Sequence, residues 1–280
     1  MTGQLAAIGA ALSWTLASGL WRSVSGAGSA LTLNGLKNGL ACLLFLPVLL
    51  TIPWLDNKDA VIGLLLSGAI GIAAGDSFYL AALRRLGTRR TLTVEALGPV
   101  LASIGSVVMM GEMLSSRAWI GAALVTVAVM LVAGSGEANS RDSAGVLLAL
   151  TAVICGLTGA FLARQVLISS DLSPIQTAAI RLLGGWLALL PVLGRSGGSC
   201  WPMPATGRIR ILVATALGTN LGIALQQLVF QQMAVGPGVT LMSTAPVMAL
   251  CIGHWEGDPI QARGVVAAGL AVAGVACISL

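Results

Sequence analysis

Charge is scarce in this 280-residue sequence: Asp, Glu, Lys and Arg together make up 9% of it. Soluble domains average about 25% charged residues, so a water-soluble globular fold is excluded. Disorder needs low hydrophobicity and high net charge; here 56% of residues are hydrophobic and mean hydropathy is +0.94. Aromatic residues are also few, 4% with one Tyr and four Phe, which leaves little for base stacking. The net charge of +5 comes from arginines scattered at the ends of apolar runs, with no basic face, so no nucleic-acid partner is expected. The sole histidine is His254, and there is no H-E-x-x-H, no serine–histidine pair and no paired-aspartate signature, so the chain reads as non-enzymatic. Cys42, Cys155, Cys200, Cys251 and Cys277 form no C-x-x-C pair, and no His or carboxylate clusters with them, so no metal and no cofactor are expected. They read as inert thiols. The 36 glycines follow no G-X-Y period, which excludes collagen. No stretch is long and polar enough for a separate soluble domain. The first residues lack the basic start of a signal peptide and are expected to stay as a first span.

What the sequence has is apolar runs, broken by Gly, Pro or charge. A spanning helix needs about 20 apolar residues. Ten runs qualify, at roughly 3–22, 32–53, 60–84, 91–111, 117–134, 144–168, 175–194, 208–233, 238–255 and 262–280. The expected fold is an all-α polytopic membrane protein of ten transmembrane helices. Trp21, Trp54, Trp119, Trp201 and Trp255 fall at span ends, where an interfacial belt is expected.

The polar segment SGEANSRDS at 135–143 splits the chain into two similar halves, 1–136 and 141–280. A shift of 147 places Gly71, Gly75, Thr93, Pro99 and Val100 on Gly218, Gly222, Thr240, Pro246 and Val247. With it Asp76 meets Ile223 and Tyr79 meets Gln226. A shift of 144 places Lys37 on Arg181 and Glu112 on Glu256, and one of 142 places Arg22 on Arg164. Matched prolines, bases and acids in one order are harder to obtain by chance than matched apolar residues. Each half holds five spans, an odd number, so the second is expected to run upside down in the membrane. Inverted repeats place a site near the midplane and support alternating access.

Loops after odd spans carry Arg22, Arg84, Arg85, Arg89, Arg90, Arg141, Arg195, Arg208, Arg210 and Arg263; loops after even spans carry only Lys58, Arg117 and Arg164. The positive-inside rule therefore expects both termini outside. Small residues every fourth position (Ser67, Gly71 and Gly75; Gly218 and Gly222; Gly264 and Ala268) mark close helix packing in lipid.

The segment 75–132, GDSFYLAALRRLGTRRTLTVEALGPVLASIGSVVMMGEMLSSRAWIGAALVTVAVMLV, resembles the third-to-fifth-span signature of the EamA family of the drug/metabolite transporter superfamily. An aromatic-x-x-Ala-Leu run ends one span, Pro-Val sits in the next, and Gly-Glu precedes a Gly-Ala-Ala-Leu helix. APVMALCIGHWEGDPIQARGVVAAGL repeats it loosely in the second half. The resemblance covers nearly the whole chain. It implies two inverted five-helix repeats, with the fifth and tenth spans peripheral or dimer-forming and the other eight surrounding a central cavity. It also implies secondary transport of small metabolites, most often export of amino acids or related compounds. Drugs, nucleosides or other small organic solutes are the alternative cargo, and a channel is the alternative class. Family members are usually drawn with cytoplasmic termini, against the charge count. A bacterial cytoplasmic (inner) membrane or its equivalent is the expected location, as monomer or homodimer.

Charges at mid-membrane cost roughly 2.5–3.5 kcal/mol or more, so they face a cavity or a partner. Asp76 and Glu95 are the first candidates for a substrate or proton site. Glu95 is expected to exchange a proton during transport, which would make transport proton-coupled. Lys37 and Arg181 are expected to pair with a substrate carboxylate or with those acids. Tyr79, Gln226, Asn220, Gln227, Trp14 and Asn34 are further cavity candidates. Pro99 and Pro246 each remove a mid-span backbone donor and are expected to kink the fourth and ninth helices as gating bends. Glu112 and Glu256 are expected to stabilise the ends of their spans.

Overall fold

The computed structural model describes residues 2–22, 30–133, 142–195, 205–248 and 262–279. These residues form helices and no strands. In chain order they are α1 (Thr2–Arg22), α2 (Ala30–Leu44), α3 (Leu46–Leu49), α4 (Lys58–Gly68), a π-helix π1 (Ala69–Gly75), α5 (Asp76–Glu95), α6 (Gly98–Met110), α7 (Ser116–Ala133), α8 (Ser143–Ser169), α9 (Pro174–Arg195), α10 (Ala205–Ala214), a second π-helix π2 (Thr215–Leu221), α11 (Gly222–Gln232), α12 (Val235–Met242) and α13 (Ala262–Ser279). Helix occupies the place of every expected span among the described residues, the ninth being described only as far as Met248. By length and composition Lys58–Leu86, Thr91–Met110, Ser143–Ser169, Thr206–Gln232 and Ala262–Ser279 can each cross a membrane, and Ser116–Val132 is a shorter apolar helix. The chain is an all-α polytopic integral membrane protein. His254, Cys200, Cys251, Trp201, Trp255 and Glu256 lie outside the described residues.

The two halves interlock. α1 packs on π2 and α11, and α8 packs in the same way on π1 and α5. α4 and π1 lie against α9, while α2 lies against π2. Three pairs join like to like: α2 with α9, α6 with α12, and α7 with α13. Lipid supplies no hydrophobic drive between helices, so these contacts rest on van der Waals fit between small residues. Ser67, Gly71 and Gly75 turn toward α8, where Ser67 Oγ donates to the Gly159 carbonyl at 2.6 Å. A Cβ on Gly159 would stand 2.9 Å from Gly71 Cα. In α13 the buried stripe is Ala267, Ala271 and Gly274, one face over from the expected Gly264 and Ala268, because Gly274 is the residue whose backbone meets Gly121 of α7.

Four sequence expectations change in detail. The second span is not continuous: Phe45 interrupts it and Pro47 opens α3 in its first turn. The stretch RRLGTRR keeps a helical backbone within α5 rather than forming a loop. Pro99 stands in the first turn of α6, after the turn at 96–97, where proline needs no donor. Pro246 likewise follows the turn at 243–244. Both helices are interrupted as the symmetry suggested, but the break precedes each proline and the proline restarts the helix. α6 then ends on Gly111, whose φ of +65° is left-handed and suits glycine.

Asp142 caps α8. Its Oδ1 accepts from the Gly145 backbone N–H at 3.0 Å, and its Oδ2 accepts from Arg85 Nε at 2.9 Å. The Arg85 guanidinium, then the Gly145 N–H, hold this carboxyl below the ordinary Asp range. A carboxylate depressed in the folded state stabilises above its unfolded value of about 4 and loses that contribution as pH falls through the folded value. Asp142→Asn keeps a cap but not a titrating charge. It is expected to flatten this part of the fall in melting temperature below about pH 4. A variant as acid-sensitive as the parent would show that the pair contributes nothing.

Candidate functional site

Between the halves lies a cavity of about 550 Å³. The first half supplies Trp14, Lys37, Asp76, Tyr79 and Glu95, and the second supplies Ala152, Gly156, Arg181, Gly218, Ile223 and Gln226. Asp76 stands where π1 passes into α5. A π-turn widens the helix and occurs often at functional sites. π2 lies at the matching place in the second half, within one residue of the 147-residue shift that pairs Gly71 with Gly218. Composition does not separate π from α, so nothing in the sequence announced either segment.

Asp76 and Glu95 share α5, yet both line the cavity. Lys37 Nζ donates to Asp76 Oδ2 at 2.7 Å, the side chains being 22% and 40% exposed. This is one of the pairings expected of the repeat-related cations. Tyr79 follows Asp76 by one turn and lines the same wall. Glu95 is half-buried and has no hydrogen bond or ion pair among the described residues.

Arg181 projects from α9 and is 3% exposed. Its Nη1 donates to Gln226 Oε1 at 3.3 Å, and its Nε has no partner. It makes no ion pair among the described residues. Gly71 leaves room beside it: a Cβ there would lie 3.5 Å from Arg181 Nη2. The cavity thus holds one internally neutralised pair, Lys37–Asp76, and two uncommitted charges of opposite sign, Glu95 and Arg181.

Three candidates stay out of the cavity wall. Asn34 Nδ2 donates to the Ile72 carbonyl in π1 at 3.4 Å, and Asn220 Nδ2 in π2 donates to the Ala41 carbonyl of α2 at 2.9 Å. Gln227 is fully buried beside Gln226. The two asparagines tie α2 to the two π-helices, which is the packing use of polar groups in lipid. Trp21 reaches the cavity instead of serving only in a belt, while Trp54 and Trp119 remain exposed at span ends. Ser18 and Thr219 line the cavity too; lone hydroxyls in apolar helices gave no signal that would single them out.

Glu112 does stabilise the end of its span. Its Oε1 accepts from Arg164 Nη2 at 3.3 Å, and Arg164 Nη1 also donates to the carbonyls of Phe230 and of Gln231, the latter at 3.0 Å. One guanidinium therefore joins the ends of α6, α8 and α11.

Comparison with known proteins follows the same two-half division. The model of the EamA-like transporter family matches residues 1–134 and again 143–280. An uncharacterized transporter of Archaeoglobus fulgidus is 32% identical over 151 residues, covering 53% of this chain and 53% of that protein. The matched stretch spans about half the length of that curated relative. One solved structure, a crystal structure of a protein, superposes with a TM-score of 0.82 over 98% of this chain and 95% of its own at 17% identity, a likeness of fold. With its family model matched once in each half, the chain belongs to the EamA-like transporter family.

Proposed function

We propose that the chain is a secondary carrier that exports a small amino-acid-like metabolite by alternating access. The two five-helix repeats, 1–136 and 141–280, run in opposite senses, and the cavity between them opens to one side at a time. The observation that carries this reading is the charge pattern: a cavity of about 550 Å³, walled by both halves, with Glu95 and Arg181 uncommitted and opposite in sign. A small zwitterion meets both demands, its ammonium at Glu95 and its carboxylate at Arg181. The rest of the wall mixes the aliphatic Ile72, Val153, Leu157 and Ile223 with Trp14, Trp21, Tyr79 and Phe230, and suits an apolar side chain. A channel would want rings of charge or carbonyls, whereas the charges here are single and the repeat positions differ.

Coupling follows from competition. Glu95 accepts either the substrate's ammonium or a proton, and the halves rearrange with one or the other bound. A bacterial cytoplasmic membrane, where a proton gradient stands, suits such exchange.

The test is counterflow in liposomes with labelled L-alanine or L-leucine. A carrier saturates and exchanges labelled for unlabelled solute; linear, non-exchanging flux would mean a channel. In the parent, apparent affinity is expected to weaken as pH falls. Glu95→Gln is expected to weaken binding about tenfold, the worth of one charge-assisted hydrogen bond, and to abolish the pH dependence. Unchanged pH dependence in this variant would remove Glu95 from the coupling role.

A further inference from the structure

We infer that Arg181 is the receptor for a carboxylate on the transported solute, and that a single break in repeat symmetry, at Ile223, keeps it available. The inference rests on the carrier reading above and assigns the anionic end of its substrate.

The first half shows what this position does when complete. Lys37 holds Asp76 at 2.7 Å, with Tyr79 one turn further along α5. The repeat shifts carry Lys37 onto Arg181, Asp76 onto Ile223 and Tyr79 onto Gln226. The second half brings the corresponding residues to the same cavity. Arg181 reaches Gln226 at 3.3 Å, and Ile223, one turn before Gln226 on α11, lines the same cavity. The cation stays a cation and Tyr79 becomes another polar residue, Gln226, but the acid becomes an isoleucine. The cation has therefore kept its place and lost the acid of its own half; Asp76 of the first half lies near enough to act on it through space but is bonded to Lys37.

A guanidinium that is 3% exposed and lacks an acid is costly. The protein does not relieve the cost: Gln226 offers one amide oxygen and Nε is left with no partner. Had Arg181 been structural, an acid at 223 would serve it as Asp76 serves Lys37. Arginine presents a rigid fork that binds a carboxylate through two parallel bonds, which lysine cannot do. The internally paired half has lysine and the unpaired half has arginine. Gly71 keeps a side chain away from the fork.

The experiment restores the symmetry. Ile223→Asp gives Arg181 an internal acid, and Ile223→Asn gives the same shape without charge. In the full-length detergent-purified protein, Ile223→Asp is expected to melt above Ile223→Asn, and adding Arg181→Met to both is expected to reverse that order. Propionate is expected to raise the parent's melting temperature where propionamide does not. The propionate response is expected to fall about tenfold further in Ile223→Asp than in Ile223→Asn, matching one charge-assisted contact. If Ile223→Asp melts below Ile223→Asn, position 223 does not face Arg181 and the inference fails. Equal responses to propionate and propionamide would overturn it as well. Counterflow separates the two readings: exchange of uncharged solutes, undisturbed by Ile223→Asp, would defeat the carboxylate receptor and leave the carrier standing. Absence of saturable exchange for every solute, with the melting order as expected, would defeat the carrier alone.

Discussion

Gly68→Ala is expected to prevent accumulation of folded protein. Gly68 closes α4 where that helix meets α9 backbone to backbone. A Cβ on Gly68 would fall far inside van der Waals contact with the Arg181 carbonyl oxygen, 2.7 Å from its carbon and 2.9 Å from the Gly185 nitrogen. The opposite face is as tight, with a Cβ on Gly184 standing 2.7 Å from Leu65 Cα. All these neighbours are main-chain atoms, so no rotamer change relieves the clash and α9 must move away. Overpacking costs about 1–3 kcal/mol where side chains can yield, and here the cost is expected to exceed about 3 kcal/mol because they cannot. The displacement also carries Arg181 away from Gly71 and Gln226. Gly269 in α13 is the control, since a Cβ there meets nothing within 4 Å. Gly269→Ala is expected to be neutral or to gain up to about 1 kcal/mol from helix propensity. Thermal unfolding of the purified proteins, with yield as a second readout, decides the matter. Equal stability of the two variants would mean that α4 and α9 can slide apart freely.

That glycine was not singled out in the sequence, and the reason is physical. Ser67, Gly71 and Gly75 repeat every fourth residue and so declare one helix face, the one that meets α8. Gly68 lies on the neighbouring face and has its complement, Gly184 and Gly185, more than a hundred residues away, where no local period connects them. The charged side chains were legible for the opposite reason. Membrane burial is so costly that Lys37, Asp76, Glu95 and Arg181 had to meet in a cavity or in pairs, and they do. The amides were less so, because Asn34 and Asn220 are equally satisfied by a neighbouring carbonyl as by a solute. The prolines show a third limit. Their symmetry was readable, but proline fits the first turn of a helix as well as it kinks a middle, and only the turns before them show which occurs.

Arg164→Ala is expected to be the second large loss, and it separates a structural charge from the transport charges. Arg164 and Glu112 are 15% and 18% exposed, more deeply placed than Lys37 and Asp76. Arg164 also donates to the last carbonyls of α11, which have no partner within their own helix and carry the negative end of its dipole. Truncation removes both services and leaves the Glu112 carboxylate largely buried without its counter-ion, with its Oε2 already lacking a hydrogen bond. Breaking a buried pair by removing one partner costs about 3–5 kcal/mol, and at this partial exposure the lower end, about 3 kcal/mol, is expected. Glu112→Gln in the same background removes the stranded charge, so the double variant is expected to recover about 1–2 kcal/mol. The carbonyls of Phe230 and Gln231 remain unserved in both, which is why recovery stops short. A double variant whose loss equals the sum of the singles would show that Glu112 and Arg164 act independently, and that Arg164 serves the α11 terminus alone. Because Phe230 also lines the cavity, loosening this end is expected to lower melting temperature before it alters substrate selectivity, whereas changes at Arg181 or Glu95 act on selectivity first.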